Sequence, residues 1–240
     1  DGTGYGTDGT IWGGEFLVST RSDFTRHAHL HPFRLPGGEA AVREPARSAL
    51  GVLHESGLPL SLVPGIADSD REVLRQMLDK SVNCPVTTSA GRLFDAVAAL
   101  LGIHEPQSFE GAAAMRLEGM IEAHDLRLAS GPDPLDWRVA VEDLVERQRG
   151  GCSRGWLAAA FHNTLACMIV ETARLCGLRR VLLTGGCFQN ACLTERTIDG
   201  LQDAGLDWYV HRHVPPNDGG LALGQAAIAA ARCRRNATCA

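Results

Sequence analysis

Apolar residues recur along this chain with two different periods, and the changes from one period to the other divide it into elements. Residues 11–18 and 24–33 carry alternating, partly aromatic apolar positions of the kind that suit strands. Spacings of three and four then take over. They predict helices at residues 41–55, at 69–81 with a stripe of Val73, Leu74, Met77 and Leu78, and at 90–101 with Leu93 and Phe94 as core anchors. Residues 156–170 are more apolar still, but His162, Asn163 and Thr164 interrupt the run, which predicts a buried core helix and not a membrane span. Strand signals return at 181–184 and 208–211, each followed by a helix, the last starting at Gly219. Strands first and then βαβα predict an α/β fold with a mixed sheet. Residues 36–85 hold Pro36-Gly37-Gly38, Leu58-Pro59 and Pro64-Gly65 between their helical stretches, the pattern of a helical insertion that packs on the domain.

Composition narrows the function classes. The chain has 240 residues, 45% hydrophobic and 21% charged, enough for one large core or two modest ones. Its net charge of −5 and the mixing of Arg with Glu along the helices argue against a nucleic-acid surface, which needs a concentrated positive face. Only Arg232, Arg234 and Arg235 cluster, at the tail. No signal peptide or membrane span is visible, so a cytoplasmic setting is expected. Eight cysteines (Cys84, Cys152, Cys167, Cys176, Cys187, Cys192, Cys233 and Cys239) include no C-x-x-C pair, and read as reduced structural thiols. Cys187 stays open as a reactive thiol, because it sits at a helix start.

Candidate chemistry gathers in three loops. Val181-Leu182-Leu183 feeds into Thr184-Gly185-Gly186-Cys187-Phe188-Gln189-Asn190, a strand-turn-helix junction whose glycines let a ligand approach the backbone. The chain opens on Asp1-Gly2-Thr3-Gly4-Tyr5-Gly6-Thr7-Asp8-Gly9-Thr10, and Pro215-Pro216-Asn217-Asp218-Gly219-Gly220 precedes the last helix. Each loop pairs glycines with polar side chains at the edge of an element. A glycine-rich loop with a leading Asp normally follows a strand, so that strand is expected upstream of residue 1. Three features have a plain structural alternative: Asp218 as a helix cap, Asp95 as a surface carboxylate on an amphipathic helix, and the glycine pair as a tight turn. His27, His29 and His31 alternate, which favours a solvated edge-strand face over a ligand triad. Either His211 or His213 is expected near the cleft. His162 reads equally as a hydrogen-bonded core histidine or as a cleft-facing group.

The run from Asp1 to Glu15, the segment Thr88-Ser89-Ala90-Gly91-Arg92-Leu93-Phe94-Asp95-Ala96, the loop from Leu183 to Asn190, and the stretch from Pro215 to Gln225 occur together in this order. With them the chain resembles the C-terminal part of the HypF carbamoyltransferases of [NiFe]-hydrogenase maturation. The resemblance implies the second lobe of an actin-like (ASKHA), RNase H-like nucleotide-binding module, spanning residues 1–240. It implies carbamoyl transfer from a carbamoyl-adenylate, made from carbamoyl phosphate and ATP, to the C-terminal cysteine of HypE, with a fragment inactive by itself. It also implies that Gly2, Thr3 and Gly4 lie near the phosphates, that Asp95 meets the ribose or base, and that Gly185, Gly186 and Asn190 hold the adenosine, with Gly111 as a further contact. Asp1 and Asp218 are the counterparts of two metal ligands for iron or zinc, whose histidine partners would precede residue 1. Two other readings remain: a stand-alone nucleotide-binding or scaffold module, and a relative of the O-carbamoyltransferases.

Overall fold

The structure, a computed structural model, describes residues 2 and 4–237, the last three by their backbone. Asp1 and Thr3, with the roles expected of them, lie outside the described residues. The N-terminal part is built on an antiparallel hairpin of β1 (Glu15–Ser19) and β2 (Phe24–His29), with a register shift between Phe16 and Leu17. β1 starts later than the residue pattern suggests. Ile11 makes only isolated bridges to Tyr5 and Thr87, because the segment before Glu15 is committed to turns.

The expected strand over 24–33 is also cut. Chain direction changes at Leu30–Pro32, and β3 (Phe33–Arg34) pairs instead with β4 (Val86–Thr87). His27, His29 and His31 therefore do not share one solvated strand face. His31 leaves the hairpin altogether: its ring Nε2 lies 3.0 Å from Glu55 Oε1, and its carbonyl accepts the Trp137 indole N–H at 2.6 Å.

Between β3 and β4 lie α1 (Glu39–Arg43), α2 (Pro45–Glu55) and α3 (Asp68–Asp79). These are built into the centre of the molecule and do not merely cover it. Leu50, Val52 and Leu53 of α2 are fully buried, and α2 packs along α4 (Ala90–Leu100). On another side, Gly51 lets α2 come close to β3, since a Cβ there would stand 2.0 Å from the Arg34 carbonyl oxygen. Each buried aliphatic side chain of this kind contributes about 1.5–3 kcal/mol of transfer free energy. α5 (Ala112–Gly119) and α6 (Arg138–Arg149) follow. The 23-residue α7 (Arg154–Cys176) then runs through the core, capped by the Ser153 hydroxyl at one end and by Gly177 at φ 72° at the other. Trp137 against Phe33, and Phe94 against Phe161, meet edge to face with centroids 5.6 and 5.1 Å apart.

The C-terminal part is a βαβ unit. β5 (Arg180–Leu183) and β6 (Asp207–Val210) pair in parallel, joined by α8 (Ala191–Asp203), and a small cluster of Ala173, Leu183 and Leu201 ties the unit to α7. α9 (Leu221–Ala237) closes the described chain. Among the described residues the strands form three two-stranded sheets, so the parallel and antiparallel pairing expected of a mixed α/β fold is present but distributed. No helix among them is long and apolar enough to cross a membrane.

Candidate functional site

The C-terminal ends of two parallel strands bring two of the three loops together. Leu183 leads into Thr184 and Gly185, which adopts φ 102° and ψ 153°, a conformation that suits glycine. From there the Gly185 N–H donates to the Pro216 carbonyl at 2.9 Å, joining the loop after β5 to the loop after β6. His211 Nε2 reaches the Thr184 hydroxyl at 2.9 Å, which identifies it as the loop-side member of the His211/His213 pair. The crevice beyond the carboxyl ends of parallel strands is where open α/β folds place their ligands. Gly185, Gly186, Asn190 and Asp218 therefore belong to one neighbourhood.

Asp218 could have been the helix cap. The structure gives that role to Asn217, whose side-chain oxygen accepts the Gly219 N–H at 3.1 Å. Asp218 is exposed; its carbonyl accepts the Leu221 N–H, and its carboxylate makes no hydrogen bond or ion pair among the described residues. No group of three or more His, Cys, Asp and Glu side chains suited to a metal converges among the described residues.

Asn190 begins α8. Its Oδ1 accepts the Leu193 N–H at 2.8 Å, while its Nδ2 lies 2.9 Å from Nε2 of His162. His162 is completely buried on α7, with Nδ1 2.7 Å from the Ala158 carbonyl. It is thus both a core histidine and a support of the loop. Burial holds its pKa below the ordinary value, with Arg196 adding to the effect and Glu118 opposing it.

Asp95 is no surface carboxylate. It lies on α4 with no exposure, 3.1 Å from the equally enclosed Arg92 guanidinium, yet neither carboxylate oxygen has a well-aligned hydrogen bond. Burial pushes its carboxyl up to about 6, against the pull of Arg92 and Gln107. A buried acceptor without a donor costs free energy, so such a group is either strained or waiting for a ligand. Gly2 is close by in this network: a Cβ there would stand 2.8 Å from the Glu110 carboxylate, and Glu110 is near enough to Asp95 to act on its ionisation. Gly111, at φ 81°, starts α5 beside it. Gly4 is exposed and has open space around it.

Two bridges connect the Asp95 side to the Asn190 side. The Phe94 ring packs on His162 at 5.2 Å between centroids, and Glu118 at the end of α5 accepts the Cys192 N–H of α8 at 3.2 Å. The sequence pattern gave no notice of His162 in this role, nor of the network that fixes the first loop. In that network Asp8 accepts from the Thr10 N–H and hydroxyl and from the Trp12 indole, and Arg26 bridges Asp8 and Glu15 at 2.8 and 2.6 Å. Hydrogen bonds from Thr10 foremost hold the Asp8 carboxyl down to about 2. An Asx turn at Asp8-Gly9-Thr10 was legible; its union with Arg26, 18 residues on, was not.

A further cavity lies elsewhere. It measures about 620 Å3 between α7 and the C-terminal half of α8, and none of the candidate residues lines it. Two of its cations, Arg174 and Arg196, are held by Glu171 and Asp125.

Three comparisons bear on this geometry. A family model described as "Carbamoyltransferase, Kae1-like Domain, second subdomain" matches residues 1–225. Carbamoyltransferase HypF of Rhodobacter capsulatus is 42% identical over 248 residues, covering 98% of this chain and 32% of its own length. That of Synechocystis sp. is 38% identical over 252 residues, covering 94% and 32%. A Cupriavidus necator carbamoyltransferase HypF homolog is 40% identical, covering 96% and 64%. Among solved structures, full-length HypF in its phosphate- and nucleotide-bound form superposes with a TM-score of 0.88 at 36% identity, over 95% of this chain and 32% of that one. T. kodakarensis HypF gives 0.84 at 29% identity, over 95% and 33%. The chain spans about a third of the length of most of these relatives.

Proposed function

The chain belongs to the HypF carbamoyltransferase family, as the second subdomain of its Kae1-like domain, and on that premise we propose that it forms one wall of the nucleotide and metal site in a carbamoyl-transferring enzyme. The solved relative with bound phosphate and nucleotide supports a nucleotide as the ligand. The observation that carries the reading is Asp95, a buried carboxylate that has Arg92 as its ion-pair partner but no well-aligned hydrogen bond at either oxygen, and whose helix touches the Gly186–Gln189 turn. Ribose hydroxyls are donors of the kind it lacks.

In the proposed reaction a carbamoyl-adenylate, made from carbamoyl phosphate and ATP, is the donor, and the C-terminal cysteine of a HypE protein is the acceptor. The thiolate sulfur attacks the carbamoyl carbon, an S–C bond forms, the C–O bond to the phosphate breaks, and AMP leaves with the electron pair. The adenosine is oriented by Asp95, by the backbone at Gly185 and Gly186, and by the side chain of Asn190. Gly2, Thr3 and Gly4 present N–H groups to the phosphate. Asp218, together with Asp1, would ligate a divalent iron or zinc ion, whose positive charge would offset the negative charge developing on the phosphate. The cytoplasm is the proposed setting.

Titration of the intact protein with a non-hydrolysable ATP analogue tests the reading. Asn190→Ala removes hydrogen bonds worth about 1–3 kcal/mol, and so weakens binding roughly five- to a hundredfold. Unchanged affinity would return the 184–190 loop to an ordinary turn.

A further inference from the structure

We propose that His162 is a positioning residue for the nucleotide loop, setting the orientation of the Asn190 amide through its own tautomer. The inference rests on the nucleotide reading for its functional consequence, but the orientation itself is argued from hydrogen-bond chemistry alone. The Ala158 carbonyl can only accept, so the His162 Nδ1 at 2.7 Å from it carries the proton. In the neutral ring Nε2 is then an acceptor. The Leu193 N–H can only donate, so the Asn190 oxygen must face it at 2.8 Å and the amide nitrogen must face His162 at 2.9 Å. The two assignments agree without choice at any step.

The chain of bonds has a direction. It runs from Leu193 N–H into Asn190 Oδ1, from Asn190 Nδ2 into His162 Nε2, and from His162 Nδ1 into the carbonyl of Ala158. Rotating the Asn190 amide would set donor against donor at Leu193 and acceptor against acceptor at His162. One N–H and one oxygen lone pair of Asn190 remain for a ligand, both in fixed positions. The His162 ring is itself held by Phe94 at 5.2 Å and Phe161 at 5.9 Å, edge to face. Its place on a long core helix gives the half-buried loop a rigid reference, as a preorganised site requires.

Two conservative substitutions separate this role from packing. His162→Gln puts an amide oxygen near the position of Nε2, and keeps an acceptor for Asn190. His162→Asn puts an amide near Nδ1, keeps a donor for Ala158, and loses the acceptor. Both introduce one buried amide. Hydrogen exchange of the 186–194 segment reads the loop directly, because the Leu193 amide is protected through Asn190. Binding of a non-hydrolysable ATP analogue to the intact protein reads the function. The proposal expects protection and affinity near wild type for the Gln variant, and faster exchange with at least roughly tenfold weaker binding for the Asn variant, equal to losing about one hydrogen bond. Equal behaviour of the two variants, whether both intact or both impaired, would overturn it.

Should neither variant fold, Asn190→Asp gives the same decision. The carboxylate can still accept the Leu193 N–H but offers no N–H to His162, so at neutral pH it faces the Nε2 lone pair, and protection of Leu193 should rise as pH falls far enough to protonate Nε2. The charged groups acting on that ring are Glu118 from α5 and Arg196 from α8, while α4 presents Phe94. Protection independent of pH would overturn the proposal. A wild-type protein that binds no nucleotide, yet shows the Gln/Asn contrast in exchange, would leave the positioning of Asn190 standing and remove the nucleotide reading.

Discussion

Asp95 and His162 are both enclosed, and their ionisation pulls stability in opposite directions. Asp95 has its carboxyl raised from 3.8 to about 6, so the folded protein binds the proton more tightly than the unfolded chain. Stability from this group is complete below pH 3.8 and is lost as pH rises through 6. Two pH units correspond to about 3 kcal/mol, which Asp95→Asn should recover in part at pH 7, raising the thermal midpoint while weakening nucleotide binding. A lower midpoint would mean that the Arg92 ion pair outweighs the burial of the charge. For His162 the folded pKa lies below 6.5, so the unfolded chain takes the proton first. Its stability contribution is complete above 6.5 and falls as pH drops from there. His162→Gln should flatten that arm of the profile and leave the Asp95 arm unchanged. At Asp218 the question is chemical and not structural. Asn217→Ala removes the cap and should cost about 0.5–2 kcal/mol with little change in metal content, whereas Asp218→Asn should lower metal content with little change in stability. Metal analysis and thermal melts of the two variants make the comparison, and a reversed pattern would make Asp218 the structural residue of the pair.

The elements were legible where period and punctuation agreed. Ser89, Ser153 and Asn190 each stand where a capping side chain is expected, and each accepts the N–H three residues on. The glycine pair did mark a strand-turn-helix junction, because φ 102° at Gly185 is a local requirement. What escaped the sequence was tertiary. β1 loses residues 11–14 to the Asp8 and Arg26 network, and the 24–33 strand breaks because His31 turns towards Glu55 and Trp137. Residues 36–85 read as a packed helical insertion because breakers flank them, but the packing of α2 along α4 inside the main core was not legible. Asp95 shows the same limit: amphipathic spacing left it on either face, and only the packing of α4 against its neighbours encloses it. Gly51 is the sharpest case of a residue whose reason is invisible locally. Replacing it by Ala improves helix propensity by about 1 kcal/mol, but sets a methyl 2.0 Å from the Arg34 carbonyl oxygen. Gly51→Ala should therefore destabilise the protein by about 1–3 kcal/mol net in chemical denaturation, and a stabilised variant would show that α2 and β3 can part at no cost.

On the scale of the molecule, the last two strands and the last helix carry exposed apolar side chains. Leu182 and Tyr209 are register partners on β5 and β6 and are 70% and 50% exposed, and on α9 Leu221 and Leu223 are 59% and 60% exposed. Parallel sheets are normally covered on both faces, and among the described residues β5 has β6 as its only neighbour. An apolar face beside an unpaired strand edge favours association with whatever can cover it. The relatives that this chain matches carry about twice as much chain again outside the matched region, and on the reading proposed here that remainder packs against β5, β6 and α9. The 240-residue chain by itself should then self-associate in a concentration-dependent way and bind a hydrophobic dye. Leu182→Lys combined with Tyr209→Lys should reduce both, because two charges on adjacent register positions make a dry contact costly. The same double variant should fail to bind the preceding two thirds of a HypF relative supplied as a separate chain, while the wild-type chain binds it and loses its dye signal. Sedimentation at several concentrations decides the matter. A monomeric 240-residue chain with no dye binding would make this face an ordinary surface and place the contacts of the remaining domains elsewhere.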